Sequence, residues 1–368
     1  MGKLASLYAV YAVSAALAVG CGSDSKGGTS TGASNTGGTT TGIFLAGAVT
    51  TLAGNGTHGR VDGPGGRNGT AEFFRPEGVA ADSHGNVFVA DTNNNCVRMI
   101  DSSGNVTTLQ SSVSFQQPSA LAIDGQGFLY VAVADSDQVW KIDSTGVATI
   151  LAGNGKKGVV DGPGGPTGPA EFYAPAGVAV DSAGNVYVSD DDRVRKIDPL
   201  ANVTTLAGNG TDGFVDGSGG PDGGAEFSAP RGLAVDGAGN VYVADSNNNS
   251  IRKIDPAGKV STLAGTGMAG SLDGSGGRTG SAEFFTPSGV AVDANGNVFV
   301  ADTANNLIRW VDPSGNVTTW AGVGVPSFAD SPVAQEAAFS NPFGIGLASN
   351  GGLVVADEVN NCIRLIGP

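Results

Sequence analysis

Pairs of acidic residues at a fixed spacing are the first candidates for chemistry in this sequence. In each pair an Asp-Gly is followed by Ala-Glu-Phe, and the Glu lies ten residues after the Asp. The four pairs are Asp62 with Glu72, Asp161 with Glu171, Asp216 with Glu226, and Asp273 with Glu283. Carboxylates in loops supply the oxygen ligands that a divalent cation such as calcium prefers, and they could also form the rim of a docking surface.

The same motif also has a structural interpretation. A fifth copy keeps Asp330 but has Ala338 where the others have Glu. Recurrence in so many copies favours a structural device over a single binding site. We therefore expect the Asp to shape a Gly-rich turn and the Glu to cap the loop or pair locally with an Arg. The Phe that follows the Glu would then fill the space between repeats.

Glu77 and Arg231 form a second candidate site. Each lies between a Pro and a Gly that recur along the chain. The equivalent positions elsewhere hold Ser119-Ala120, Ala176, Ser288 and Phe343. One carboxylate among them cannot supply the several oxygen ligands that a divalent ion requires. Glu77 and Arg231 could hold a small polar ligand, although a solvated pair at a channel mouth is the simpler interpretation.

Other chemical motifs are incomplete. Residues 91–95 and 245–249 resemble the start of a calcium loop but lack its Gly and its bidentate Glu, so we interpret them as hairpin turns. The two histidines, His58 and His84, lie apart in expected loops. Neither a Ser/His/Asp nor a Cys/His arrangement has positional support. We predict no catalytic residue and no cofactor, with a bound divalent cation as the alternative.

The elements that carry these residues are repeated six times. A Pro opens each repeat, and an Asp follows its second apolar run. The Pro series is Pro76, Pro118, Pro175, Pro230, Pro287 and Pro342, and the Asp series is Asp91, Asp135, Asp190, Asp245, Asp302 and Asp357. Short β-branched runs closed by Asp, Gly or Asn predict four strands in each repeat. The sequence therefore predicts an all-β, six-bladed β-propeller of four-stranded blades.

The two ends of the repeat region complement each other. The chain stops after a third-strand sequence, Ile363 to Ile366, whereas residues 49–54 form an isolated fourth-strand sequence. We expect the N-terminal strand to complete the last blade, which closes the ring and removes two open sheet edges. The same topology places five long connections, 54–75, 153–174, 208–229, 265–286 and 322–341, on one face. The short connection 110–117 leaves a gap there.

The repeat resembles the NHL repeat family. The motifs that carry the resemblance are Pro-x-Gly-x-Ala-Val-Asp at 230–236, Gly-Asn-Val-Tyr-Val-Ala-Asp at 239–245, and Asn-x-Ile-Arg-Lys-Ile at 249–254. The resemblance covers residues 49–368 and implies the propeller fold. Related six-bladed propellers include binding modules and metal-dependent lactonases or lyases, so a metal-assisted hydrolase or lyase in the central channel is the alternative to a binding function.

The N-terminal segment predicts export. Residues 1–20 read as a signal peptide, with Lys3 before an apolar run, and Cys21 follows as in a bacterial lipobox. Residues 21–48 then form a Gly/Ser/Thr-rich linker, and the propeller spans 49–368. We expect a lipid-anchored protein of the cell envelope or the extracellular space, in which the membrane is reached only through acylated Cys21.

Composition narrows the partners. The net charge of −15 disfavours nucleic acid, since affinity for phosphates rests on Lys and Arg. We expect a monomer that presents its long-loop face to a protein, peptide or glycan. Cys96 and Cys362 occupy the same repeat position, and because blade rotation makes equivalent side chains point the same way around the ring, we expect no disulfide between them.

Overall fold

The computed structural model describes residues 47–109 and 113–368, and strands dominate it. In chain order the strands are β1 (Val49–Ala53), β2 (Gly63–Pro64), β3 (Pro76–Ala81), β4 (Val87–Asp91), β5 (Cys96–Ile100), β6 (Asn105–Thr108), β7 (Pro118–Ile123), β8 (Leu129–Val133), β9 (Gln138–Ile142), β10 (Ala148–Ala152), β11 (Gly162–Pro163), β12 (Gly177–Val180), β13 (Val186–Asp190), β14 (Arg193–Ile197), β15 (Asn202–Ala207), β16 (Pro230–Val235), β17 (Val241–Asp245), β18 (Ser250–Ile254), β19 (Val260–Ala264), β20 (Pro287–Val292), β21 (Val298–Asp302), β22 (Leu307–Val311), β23 (Val317–Ala321), β24 (Pro342–Leu347), β25 (Leu353–Asp357) and β26 (Cys362–Ile366). Short 3-10 helices cover Thr92–Asn94, Ala134–Ser136, Ser246–Asn248, Thr303–Asn305 and Ala334–Glu336.

The strands form six antiparallel sheets, which are the blades of a closed propeller. Blades 1 to 5 run in chain order as β3–β6, β7–β10, β12–β15, β16–β19 and β20–β23, and blade 6 contains β24, β25, β26 and β1. The innermost strands contact one another around the ring, including β24 against β3. The predicted six-bladed all-β fold is confirmed.

Ring closure by the N-terminal strand is confirmed by the pairing of β1 with β26. Val49 pairs with Ile366 and Thr51 with Arg364. A second contact joins blades 1 and 6 on the long-loop face, where the backbone N–H of Arg75 donates a 3.0 Å hydrogen bond to Oδ1 of Asn361. Arg75 has a φ of 50°, so this hydrogen bond is made by a non-glycine residue in the left-handed region, just before the first strand of blade 1.

Two blades contain an additional short strand that the sequence does not predict. β2 pairs with β6 on the outer edge of blade 1, and β11 pairs with β15 on the outer edge of blade 3. Both segments are Gly-Pro, and Pro is tolerated at a sheet edge, where its missing N–H faces away from the ladder. A long loop therefore runs outward, covers the outer edge of the following blade and returns to that blade's innermost strand.

The hairpin turns between the first and second strands of the blades lie on the face opposite the long loops, and the Asp-x-x-Gly-Asn motif accounts for their geometry. In the turn between β3 and β4, Oδ1 of Asp82 accepts hydrogen bonds from the backbone N–H groups of His84 (2.9 Å) and Asn86 (2.8 Å). Gly85 there has a φ of 85°, which glycine adopts without steric cost. The Asp-x-x-Gly-Asn motif thus ends one strand and starts the next.

Each interface between blades contains a separate hydrophobic cluster. Phe73, for example, is fully buried among Val79 and Val89 of blade 1 and Ala356 and Ile363 of blade 6. The other four interfaces to which a long loop contributes have an equivalent buried Phe, namely Phe172, Phe227, Phe284 and Phe339. The expectation that this Phe fills the space between repeats is confirmed.

One position in the predicted Asp series is wrong. Val133, and not Asp135, occupies the blade 2 position that corresponds to Asp91, because Pro118 pairs with Val133 as Pro76 pairs with Asp91. Asp135 is an exposed residue of the following 3-10 helix. The sequence spacing suggested Asp135 because it is the nearest acidic residue to the end of the strand.

The predicted signal peptide (1–20), Cys21 and most of the linker lie outside the described residues. Gly47 and Ala48 are described: the N–H of Gly47 donates to the carbonyl of Gly367, and the N–H of Gly367 donates to the carbonyl of Ala48. Within residues 47–109 and 113–368, no helix has the length and apolar character that crossing a membrane requires.

Candidate functional site

Five buried arginines anchor the long loops. Each lies on the third strand of a blade, with its side chain fully buried, and each binds two aspartates: one that ends the second strand and one that lies in the long loop. We call each such trio an arginine clamp. The loop Asp, the Arg and the strand Asp of the five clamps are Asp62–Arg98–Asp91, Asp161–Arg195–Asp190, Asp216–Arg252–Asp245, Asp273–Arg309–Asp302 and Asp330–Arg364–Asp357.

The clamp in blade 4 shows which hydrogen bonds the two Nη groups of the guanidinium make, whereas its Nε has no hydrogen-bond partner among the described residues. Nη1 of Arg252 donates to Oδ2 of Asp245 (2.6 Å) and to the carbonyl of Glu226 (3.0 Å). Nη2 donates to Oδ1 of Asp216 (2.8 Å) and to the carbonyl of Val215 (2.8 Å). Charge-assisted hydrogen bonds of this kind are the strong ones in a protein interior, so both arms of the loop are tied to the blade.

The two aspartates of the blade 4 clamp have opposite pKa shifts. Burial raises the pKa of Asp245, although Arg252 and the N–H of Ser228 act against the shift. Asp216 is partly exposed; desolvation raises its pKa, but hydrogen bonds from Thr262 and Arg252 outweigh that effect and leave the pKa lowered. In blade 4, the loop carboxylate of Asp216 therefore ionises more readily than the strand carboxylate of Asp245.

The glutamates of the repeated pairs lie against glycines in the same loops. A Cβ atom at Gly213 would overlap Oε2 of Glu226, and the same holds for Gly59 and Glu72. The remaining pairs, Gly158 with Glu171 and Gly270 with Glu283, have the same arrangement. In the fifth loop Ala338 replaces the Glu, and Ser327 stands where the others have Gly. Glycine thus leaves room for the Glu side chain to fold over the loop, and a larger residue would displace the carboxylate end of that side chain.

Each clamp also uses the backbone of its Glu. Nη1 of Arg98 donates to the carbonyl of Glu72 (2.9 Å), and Nη1 of Arg309 donates to the carbonyl of Glu283 (3.0 Å). The Asp and the Glu of a pair therefore contact the same arginine, the Asp through its carboxylate and the Glu through its main chain. These contacts give both residues of the motif a structural role.

Blade 2 has no arginine clamp, and apolar residues occupy the positions that form the clamp in the other blades. Val133 replaces the strand Asp, Trp140 replaces the Arg, and Ile150 replaces the Thr that binds the loop Asp in other blades. Trp140 instead packs edge-on against Phe115, with ring centroids 5.9 Å apart. Where the connection is too short to carry an Asp, apolar residues take the place of the ionic trio and leave no buried charge unpaired.

The anchored loops present an aliphatic side chain outward. The residue just before the loop Asp is Val61, Val160, Val215 or Leu272, with 41%, 40%, 40% and 58% of its surface exposed. Its carbonyl is held by the clamp arginine, as for Val61 with Arg98 (2.8 Å). The loop face thus repeats one exposed apolar residue on a fixed backbone.

The mouth of the central channel contains a small charged group. Desolvation raises the pKa of Glu77 to about 8, and the nearby carboxylate of Glu358 adds to the shift, whereas Arg231 and Arg75 oppose it. Nε of Arg75 donates to Glu358 at 2.8 Å, and the Arg231 guanidinium lies 5.1 Å from the ring centroid of Phe343. The structure therefore brings Glu77 and Arg231 into one electrostatic environment.

Glu358 is a member of this group that sequence reasoning missed. It follows the strand Asp of blade 6, where other blades have Thr92, Ser246 or Thr303. Those hydroxyls donate to the carbonyl of the next blade's Pro, as Ser246 does to Pro287 (2.6 Å). A carboxylate at a position otherwise held by small hydroxyl residues was the available signal.

Three segments of the propeller match a known repeat. Residues 73–98, 227–254 and 286–311 match the NHL repeat. Each of these segments ends in the third strand of a blade that has a clamp, at Arg98, at Ile254 just after Arg252, and at Val311 just after Arg309. This chain is a six-bladed β-propeller with NHL repeats in blades 1, 4 and 5.

Curated relatives of the NHL propeller are much longer than this chain. It is 35% identical over 173 residues to the protein SUPPRESSOR OF QUENCHING 1, chloroplastic, of Arabidopsis thaliana, covering 44% of this chain and 16% of the relative. It is 33% identical over 150 residues to human NHL repeat-containing protein 2, covering 37% of this chain and 20% of the relative. The chain thus spans a fifth or less of these two proteins.

Solved structures share the propeller fold at low sequence identity. An auxiliary nutrient binding protein from Bacteroides thetaiotaomicron superposes with a TM-score of 0.66 at 19% identity, covering 87% of this chain and 76% of that one. A gluconolactonase from Xanthomonas campestris superposes with a TM-score of 0.56 at 13% identity, covering 87% and 89%. At these identities the likeness shows the fold alone.

The predicted site residues of the NHL propeller fall into two separate places. The Asp–Glu pairs lie around the loop face, each within its own blade, and Glu77 and Arg231 lie at the channel. Across the described parts of the chain, no three His, Cys, Asp or Glu side chains group closely enough to hold a metal ion. The charged residues present can form ion pairs and bind polar groups.

Proposed function

We propose that this NHL propeller is a non-catalytic binding or scaffold module that docks a protein, peptide or glycan on its long-loop face. One observation carries the proposal: buried arginine clamps fix five long loops, and four of these loops expose an aliphatic side chain at the same position. A loop that served stability alone would gain by burying Val215 and Leu272. Exposed apolar side chains on a rigid backbone are typical of a preorganised interface, which loses little conformational entropy on binding.

The location of the module is part of the proposal. A signal peptide at 1–20 and acylation of Cys21 would export the chain and tether it to a bacterial membrane, and the linker up to residue 48 would give the propeller reach. The module would act as a monomer in the cell envelope or outside the cell. Cys21→Ala should release the chain from the membrane fraction; a Cys21→Ala chain that still partitions with membranes would remove the lipid anchor from the proposal.

Shortening one clamped loop tests the docking face. In the variant, residues 208–229 are replaced by a connection of the length of 110–117, and Asp245→Val and Arg252→Trp copy the apolar solution of blade 2. A matched control shortens the turn between β18 and β19 on the opposite face. Partners recovered by the full chain should be lost with the first variant and kept with the control. Equal recovery with both would count against the loop face.

The alternative is a metal-assisted hydrolase or lyase in the channel. The observation in its favour is Glu77, because a carboxyl with a pKa of about 8 holds its proton at neutral pH and could act as a general acid. Elemental analysis of the purified chain after mild dialysis separates the two functions. A stoichiometric divalent ion that disappears in Glu77→Ala would favour the enzyme, and a retained partner with no stoichiometric ion would favour the binding module.

A further inference from the structure

Neighbouring long loops interlock through a phenylalanine. The ring of Phe214, in loop 208–229, lies against Gly267 of the next long loop, and the guanidinium of Arg278 lies 4.2 Å from its centroid. Nη1 of Arg278 donates to the carbonyl of Phe214 at 2.6 Å. Phe328 contacts Gly56 and Arg67 in the same way, with 4.1 Å to the centroid and a 3.1 Å hydrogen bond. In two of the long loops, this glycine thus forms part of a receptor position for an aromatic ring from the long loop before it.

Loop 153–174 has the same receptor position, but the connection before it is the short one. Gly155 and Pro166 correspond to Gly56 and Arg67 in the repeat. Among the described residues, the atoms nearest to a Cβ built on Gly155 are Nε2 of Gln138 (3.6 Å) and the carbonyl of Ser136 (3.9 Å). These are ordinary contact distances to polar atoms, so no described aromatic ring fills this position.

A cleft of about 630 Å³ lies beside this position, between the two arms of loop 153–174. Its walls include Asn154, Lys156, Val160, Pro166, Pro169 and Glu171. Val160 and the two prolines supply an apolar surface, and Lys156 supplies a cation at the rim. The neighbouring Lys157 already lies over the ring of Tyr173, with Nζ 3.8 Å from its centroid, which shows that a lysine–aromatic contact fits this part of the loop.

The lysines beside the cleft indicate the chemistry of the occupant. Lys156 and Lys157 form an adjacent pair of positive charges on a chain whose net charge is −15. An acidic group beside the aromatic side chain would therefore meet complementary charge.

We propose that the cleft of loop 153–174 binds an extended peptide segment of a partner protein through an aromatic side chain, with a carboxylate of that segment at Lys156. The inference rests on the proposed function and deepens it, because it names one site on the loop face and the chemical class of the partner. The partner's ring would take the position that Phe214 and Phe328 take in the neighbouring interlocks.

Photo-crosslinking of a defined peptide to the full chain tests the site. The probe is the peptide Thr-Asp-Gly-Phe-Val-Asp-Gly-Ser, the sequence of residues 211–218, with a benzophenone group on the aromatic ring. Mass spectrometry should locate the adducts in residues 154–171. A competing peptide with Phe→Ala should leave the labelling unchanged, whereas the unlabelled Phe peptide should suppress it. Adducts spread over other blades, or none at millimolar peptide, would overturn the proposal.

Two substitutions with matched controls sharpen the test. Thr167→Trp should fill the cleft and lower labelling by roughly tenfold, as loss of one buried aromatic anchor does. Asn68→Trp changes the corresponding exposed position of a loop that already holds Phe328, and it should have no effect. Lys156→Glu should also weaken labelling, whereas Lys259→Glu, in the turn between β18 and β19 on the opposite face, should not. Equal labelling of all four variants would overturn the site.

The outcome also separates this site from the proposed function. If the full chain keeps partners that depend on loop 208–229 while the peptide fails to label the cleft, the docking face stands and the cleft assignment is wrong. If both the shortened loop and Thr167→Trp leave partner recovery unchanged, the loop face itself is the wrong surface. Thermal unfolding of each variant establishes that the compared chains are folded.

Discussion

Nη2 of Arg252 donates a 2.8 Å hydrogen bond to Oδ1 of Asp216, which lies 36 residues earlier in the chain. This contact ties a long loop to a buried strand position, and four other blades have its equivalent. A connection of this length would ordinarily be mobile. The clamp replaces that freedom with a fixed backbone, and the exposed Val215 beside Asp216 is fixed with it.

Removal of the clamp arginine should be strongly destabilising. In Arg252→Ala, Asp245 stays fully buried without its cation, and breaking a buried pair from one side costs about 3–5 kcal/mol. Urea unfolding should show this loss in the free energy of unfolding. Arg278→Ala, which removes an exposed guanidinium over Phe214, is the matched control and should cost about 1 kcal/mol or less. Similar losses for both would contradict the assigned role of Arg252.

Copying the blade 2 residues into blade 4 should restore part of the stability that is lost when Arg252 is removed. Asp245→Val combined with Arg252→Trp removes both buried charges and copies the residues that blade 2 has at these positions. Because no ion remains unpaired in the core, the double variant should be more stable than Arg252→Ala by about 1–3 kcal/mol. A double-mutant cycle on Asp245 and Arg252 measures the coupling. A double variant less stable than Arg252→Ala would refute the comparison with blade 2.

Closure of the ring should depend on the inward face of β1. Val49 is fully buried and pairs with Ile366, whereas Thr50 on the same strand is exposed. Val49→Asp places an unpaired carboxylate in the core and should cost about 3 kcal/mol or more. Thr50→Asp should change stability by less than about 0.5 kcal/mol. Thermal unfolding of the two variants makes the comparison, and equal melting temperatures would contradict strand-completed closure.

Glu77 should make stability fall as pH rises. Its pKa in the folded chain is about 8, against an ordinary value near 4.5, so between these values the folded state binds more protons than the unfolded state. Stability attributable to Glu77 is therefore lost as pH rises through this window. Glu77→Gln cannot ionise, and its stability relative to the natural chain should improve by about 1–3 kcal/mol between about pH 5 and pH 8. A pH-independent difference would refute the assignment.

The two propeller cysteines should be unreactive in the folded chain. Burial raises the pKa of Cys96 to about 11, and it also raises the pKa of the fully buried Cys362. Alkylation requires the thiolate, so a Cys21→Ser chain should react with iodoacetamide only after unfolding. Intact-mass analysis before and after denaturation counts the modified thiols. Rapid modification of either residue at neutral pH in the folded chain would contradict their burial.

The sequence predicts the blades well because every blade repeats the same local signals. The Asp-x-x-Gly-Asn turns and the β-branched runs act locally, and six copies reinforce one another. Strand completion also follows from the sequence, since the two ends carry complementary parts of one blade. The short strand β2 could not be predicted, because a Gly-Pro dipeptide pairs there only through the loop that the distant Arg98 holds.

The site was harder to predict because its contacts join residues far apart in the chain. The Asp–Glu pairs were expected to shape turns, cap the loop or pair locally, but their common partner, the arginine of the third strand, lies 24 to 36 residues away. The absence of a clamp in blade 2 was hidden by Asp135, which stands near the expected position in sequence but not in space. Glu358 went unnoticed because only the closed ring brings it near Glu77.

Face-resolved photo-crosslinking in living cells tests the central claim most directly. A photo-reactive amino acid is placed at Val215 or Leu272 on the loop face, and at Ala238 or Ala257 in turns on the opposite face. The account predicts partner adducts of discrete mass from the two loop-face positions and none from the two control positions, with peptide mapping to identify the partner segment. Adducts only from Ala238 or Ala257, or equal adducts from both faces, would contradict it.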